Sequence, residues 1–141
     1  MNTVIAETTT FISEQHKARF DELMKIQMLT RTKIFNREIA VMYLVSALHY
    51  DSPEELFEPK GCYPKVDVAV SRFVIGELDE RDAIVFLLAQ NLFNGLDEFE
   101  SFGIRGNATP YHFACLLRDE AFLMAEATNL FMNGYNQMLV Q

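Results

Sequence analysis

The sequence predicts an all-α protein: a compact orthogonal bundle of about four to five helices, one domain over residues 1–141. Three observations carry this. In Asp79–Gly95 (DERDAIVFLLAQNLFNG), Ala83 to Ala89 is apolar at every position, so a helix there has no wet face and must be enclosed. Arg37–His49 has a similar centre, IAVMYLVSAL, and makes a second buried helix. Helix punctuation marks these stretches and a third: Asp79, Asn36 and Thr109-Pro110 stand at starts, Asn94-Gly95 and Asn133-Gly134 at ends.

Taken in order, residues 1–9 and 135–141 hold only short apolar pieces, Val4-Ile5 and Met138-Leu139-Val140. They are expected to be flexible or to extend an oligomer interface. A first helix starts near Thr10 or Ser13 and runs to Leu29, with Phe20, Leu23, Met24 and Gln27 at helical spacing and Lys17, Asp21 and Lys25 outward. Thr30–Phe35 is a joint, and Asn36 caps the helix of residues 37–49. Ser52 caps a short helix that Pro53 opens and Phe57 ends, with Glu54 and Glu55 in its first turn. Glu58–Lys65 contains Pro59, Gly61 and Pro64 and is a loop. Val66–Ile75 reads two ways: Val66, Val68 and Val70 alternate as in a strand, but no partner strand is evident, and helix is favoured. Asp79 caps the helix of residues 80–94, Glu80 and Asp82 suit its dipole, and Gly95 takes the left-handed position after it. Asp97, Glu98 and Glu100 begin one helical turn. Thr109 caps, and Pro110 opens, a long last helix that reaches Met132.

Twelve Phe and seven Met provide large, adaptable side chains for a core that needs no staples. The net charge of −8 is uneven, +1 over residues 1–50 and −9 over residues 51–141. The acidic portion argues against nucleic-acid binding, which needs a basic surface, and permits a basic protein partner. No apolar run approaches the ~20 residues of a membrane span. The start, MNTVIAETTTF, lacks the basic and apolar regions of a secretion signal and is not read as one, and a cytoplasmic protein is expected. Cys62 and Cys115 are isolated; a disulfide between them is one reading, and buried thiols are the favoured one in an unsecreted chain.

No catalytic residue emerges. His49, Asp51 and Cys62 can meet around a helix end, but no HExxH or CxxC spacing supports a metal site, and no cofactor is implied. Glu77, Asp79, Glu80 and Asp82 lie at a helix start, where capping accounts for them. Two anion-binding candidates remain. One is the basic joint of Arg31, Lys33 and Arg37. The other is Arg105, in a glycine-flanked loop leading to the helix opened by Pro110. Asp97, Glu98 and Glu100 form the candidate acidic surface for a partner. The last helix carries apolar residues on more than one side, which nominates Phe122 and Leu123 for a homodimer interface.

Three segments carry a family resemblance: HKARF (His16–Phe20), REIAVMYLVSAL (Arg37–Leu48) and LAQNLFNG (Leu88–Gly95). Together they resemble a family of small uncharacterised proteins of Gram-positive bacteria and their phages, with an H-x-x-RF and LA-x-NLYNG pattern. Phe93 stands where that pattern has tyrosine. The resemblance implies a bacterial or phage-borne protein and supplies no catalytic residues. The resulting expectation is a non-catalytic phage or mobile-element accessory protein acting on a host protein through an acidic surface. A small-anion or nucleotide-binding protein is the alternative, and an enzyme of unrecognised type is a second.

Overall fold

A computed structural model describes residues 9–30, 33–58, 63–95, 100–104, 106 and 109–135. Among these the architecture is all-α, as the sequence predicts. The α-helices are α1 (Glu14–Thr30), α2 (Asn36–Ser46), α3 (Val66–Val74), α4 (Glu80–Asn94), α5 (Pro110–Leu117) and α6 (Phe122–Asn133). Short 3₁₀ turns lie at Pro53–Leu56, Glu100–Phe102 and Arg118–Glu120. Val66–Ile75 resolves to a helix, because Val66, Ala69, Val70 and Phe73 share a helical face that packs on the core.

Helices α2 and α4 form the centre. Every residue from Glu38 to Ser46 and from Asp82 to Gln90 is buried. Leu87 and Leu88, both in the expected core, are 3% and 2% exposed. The two helices run antiparallel: Arg37 at the start of α2 lies over the Phe93 ring near the end of α4, while the other ends meet through Asp82 and His49. Helix α6 packs along the other side of α2, also antiparallel, with Gly134 at its end close to Asn36. Helix α1 lies across α2. Its His16 is buried between Phe11 and Tyr43, accepts the Ile12 N–H at Nδ1 (3.1 Å) and donates from Nε2 to Tyr43 O (2.8 Å). Burial pushes the His16 pKa down to about 4, so the ring is neutral at pH 7.

Caps follow the sequence in several places. Ser13 Oγ accepts from His16 N at 3.0 Å and starts α1. The Asp79 side chain accepts from Asp82 N, Thr109 accepts from His112 N, and Gly95 is left-handed at φ 77°. Gly134 also has φ 77°, with an extended ψ.

The structure corrects four expectations. Asn36 is the first residue of α2 rather than its cap; instead Glu38 Oε1 accepts from Phe35 N at 2.8 Å. Helix α2 stops at Ser46, short of His49, because the carbonyls beyond it are drawn to arginines. The long last helix is two helices. Arg118 takes a positive φ of 53° with ψ −114°, a backbone conformation that ends α5, so the bundle has six helices among the described residues. Cys115 is exposed rather than in the core, since Phe113 and Leu117, spaced at i and i+4, take the inward positions of α5.

The dimer candidates are also relocated. Leu123 is fully buried in its own domain beside Ala127 and Leu130, and Phe122 is half-buried against the same core. Phe131 and Met132 are the exposed apolar residues of α6. Val4, Ile5, Cys62, Met138, Leu139 and Val140 lie outside the described residues. Among those described, no helix is long and apolar enough to cross a membrane.

Candidate partner-binding site at the acidic end

The end of α2 and the starts of α4 and α6 converge at one end of the bundle. Helix α2 stops there with free carbonyls and the negative pole of its dipole. Two arginines from other helices answer it. Arg81 donates from Nη1 to Ala47 O (2.6 Å), and Arg19 from Nη1 to Leu48 O (2.8 Å) and Tyr50 O (3.3 Å).

Next to Arg81, the Asp82 carboxylate is almost fully buried, with 2% of its side chain exposed. It accepts the N–H groups of His49 and Tyr50, each at 2.9 Å, and Nη1 of Arg81, also at 2.9 Å. Nε of Arg81 donates to Glu120 at 2.6 Å, which ties in the turn before α6. Burial opposes the charge on Arg81, but the hydrogen bonds from Glu120 and Asp82 outweigh it and hold the pKa above its ordinary value. This inner layer therefore fixes three helix ends.

An outer layer of acids surrounds it. His49, Tyr50, Asp51, Gly76, Glu77, Asp79 and Asp82 line a recess of about 410 Å³. Within it, Nδ1 of His49 lies 3.7 Å from Asp79 Oδ2 and 3.9 Å from Asp82 Oδ1. One nitrogen and two carboxylates are a donor set suited to a divalent cation. Asp82 Oδ1, however, already accepts from Arg81 and the His49 N–H. The guanidinium occupies the place next to that oxygen that a metal would take, and this disfavours a cation there. The cluster also differs from the one the sequence suggests. His49 meets Asp79 and Asp82, Asp51 lines the recess, and Cys62 lies outside the described residues.

A second recess of about 400 Å³ opens beside the first and shares Asp51. It lies between one face of α1 (Arg19, Glu22, Leu23, Ile26) and the turn of Asp51, Pro53 and Glu54.

Of the residues named from sequence, those described lie elsewhere. Glu100 is exposed on its 3₁₀ turn, and Asp97 and Glu98 lie outside the described residues. Arg31 and Arg105 are likewise outside them. Lys33 stands over the Phe35 ring at 5.1 Å and Arg37 over the Phe93 ring at 4.8 Å, both at the start of α2, the opposite end of the bundle. Arg81 and Glu120 were not singled out in the sequence, and Arg19 stood out only as part of the HKARF segment. For Arg81 the available signal was Arg81-Asp82, adjacent opposite charges opening an enclosed helix.

Comparison with family models, curated proteins and solved structures returns no match. The three motif segments have structural roles. His16, Arg19 and Phe20 fasten α1 to α2, Glu38 starts α2, and Phe93 and Gly95 finish α4.

Proposed function

We propose that this protein is a non-catalytic binding protein, a phage or mobile-element accessory protein that engages a basic host protein through the acidic end of its bundle. The observation that supports this is a division of labour among the acids. Asp82 and Glu120 are held by Arg81, and Asp79 caps α4, so these groups are occupied with the fold. Glu22, Asp51 and Glu54 are exposed at the same end, and among the described residues no ion pair engages them. Exposed, unpaired acids favour recognition and fast encounter with a positive surface. The acidic surface proposed here thus lies at Glu22–Asp51–Glu54. The phage origin rests on the resemblance of the three segments alone.

The test is capture from a Gram-positive bacterial lysate on the immobilised protein, at low and raised salt. A basic protein retained at low salt and released as salt rises supports the reading. A partner indifferent to salt, or none, counts against it. A small-anion site is the competing reading, favoured by Lys33 and Arg37 at the N-terminal end of α2. A thermal-shift screen with nucleotides separates the two, because a ligand of the native state raises the melting temperature.

A further inference from the structure

We propose that the groove between α1 and the Asp51–Glu54 turn is a docking site for a basic partner segment in which an arginine or lysine stands beside an apolar side chain. This rests on the binding reading above and gives it a surface and a ligand chemistry.

The groove has a floor and a rim of different character. Leu23, Ile26 and Pro53 are its apolar lining, here called the floor, with Pro53 buried, Leu23 half-buried and Ile26 46% exposed. Glu22, Asp51 and Glu54 make the rim, all exposed. Arg19 also lines the groove and is bonded to Leu48 O and Tyr50 O; it keeps its charge there, so three carboxylates against one guanidinium leave the lining net negative. Through Asp51 the rim meets the neighbouring recess, where Asp79 caps α4 and Glu77 pairs with Arg72.

An apolar floor with a net-negative rim selects its occupant. A polyamine satisfies the rim and leaves the floor wet. A purely apolar helix satisfies the floor and leaves carboxylates facing it. Nucleic acid and anionic membranes are repelled by the rim. A peptide that sets an apolar side chain into the floor and flanking cations against Glu22, Asp51 and Glu54 satisfies both. Arginine suits the carboxylates better than lysine because its fork pairs with them in two places.

The test is fluorescence anisotropy with three labelled synthetic peptides: arginine with leucine, arginine with serine, and glutamate with leucine. The arginine–leucine peptide should bind, weaken as salt rises, and outbind the other two by about tenfold or more. Asp51→Asn with Glu54→Gln should weaken it by about tenfold, and Ile26→Ser by several-fold. A control pair, Glu100→Gln with Glu126→Gln, removes the same charge at residues outside the groove lining and should leave binding within about twofold. Urea midpoints confirm that each variant is folded. The proposal is overturned if the control pair weakens binding as much as the groove pair. It is equally overturned if the arginine–serine peptide binds as well as arginine–leucine, or if no peptide binds. A salt-sensitive partner in the lysate that ignores the groove variants would move the surface while leaving the binding reading standing.

Discussion

Replacing Asp82 by alanine tests how the acidic end is built. The carboxylate accepts from His49 N–H, Tyr50 N–H and Arg81 Nη1, all near 2.9 Å, with 2% of the side chain exposed. A donor left without an acceptor in a buried place costs about 1–3 kcal/mol. Water reaches His49 and Tyr50 once the carboxylate is gone, which lowers their share, and Arg81 keeps Glu120 and Ala47 O. The sum comes to about 3–5 kcal/mol, the usual cost of breaking a buried charge pair by removing one member. That is a large part of the about 5–15 kcal/mol that holds a typical domain together. Asp79→Ala is the internal standard. It removes an exposed cap from the same helix and should cost about 1 kcal/mol. Urea unfolding followed by circular dichroism gives both values, with the midpoint shifting at unchanged slope. If Asp82→Ala costs no more than Asp79→Ala, the network is not what joins these helix ends.

Other outcomes follow from single residues. Leu88→Ala should cost about 2–5 kcal/mol in the same assay, since the side chain is 2% exposed in the central helix; a loss below about 1 kcal/mol would contradict enclosure. Gly95→Ala should cost about 1 kcal/mol through backbone strain alone, because φ is 77° and nothing lies within 4 Å of an added Cβ. Gly95→Asn should recover part of that loss, and an alanine variant as stable as wild type would refute the strain. His16 makes stability fall in acid. Its folded pKa of about 4 lies below the ordinary 6.5, so its contribution is complete above pH 6.5 and lost as pH falls through about 4. The loss should amount to about 2–3 kcal/mol. Arg81 and Glu120 act on the ring in opposite senses, and burial outweighs both. Urea midpoints between pH 7 and 4 should decline in wild type and less in His16→Gln; equal declines would assign the slope to other groups.

What was legible in the sequence is what depends on neighbours along the chain. Helix α4 could be bounded to the residue, because Asp79 and Gly95 act locally and the run between them has no polar face. The break at Arg118 was not legible. Nothing between Pro110 and Met132 is a glycine or a proline, and the apolar spacing continues across it. The turn makes sense only once Glu120 is seen to meet Arg81, thirty-nine residues earlier. Cys115 misled for a related reason. Its apolar neighbours suggested core, but the short α5 buries only Phe113 and Leu117. Asp82 was read as a dipole partner of its own helix, yet its oxygens serve the chain after α2. Capping by Arg19 and Arg81 escaped for the same reason: these are contacts between helices, and periodicity within one helix carries no trace of them.

Site-directed photo-cross-linking addresses the central claim, that the acidic end with its α1 groove is the binding surface. A benzophenone side chain is placed at Ile26, on the groove floor, or at Phe131, exposed at the far end of α6. Each protein is irradiated in Gram-positive lysate at low and raised salt. The account predicts a cross-link from position 26 to a protein at a segment rich in arginine or lysine, lost at raised salt, and none from position 131. Cross-links from position 131 alone, or from position 26 to an acidic or neutral segment regardless of salt, would contradict it.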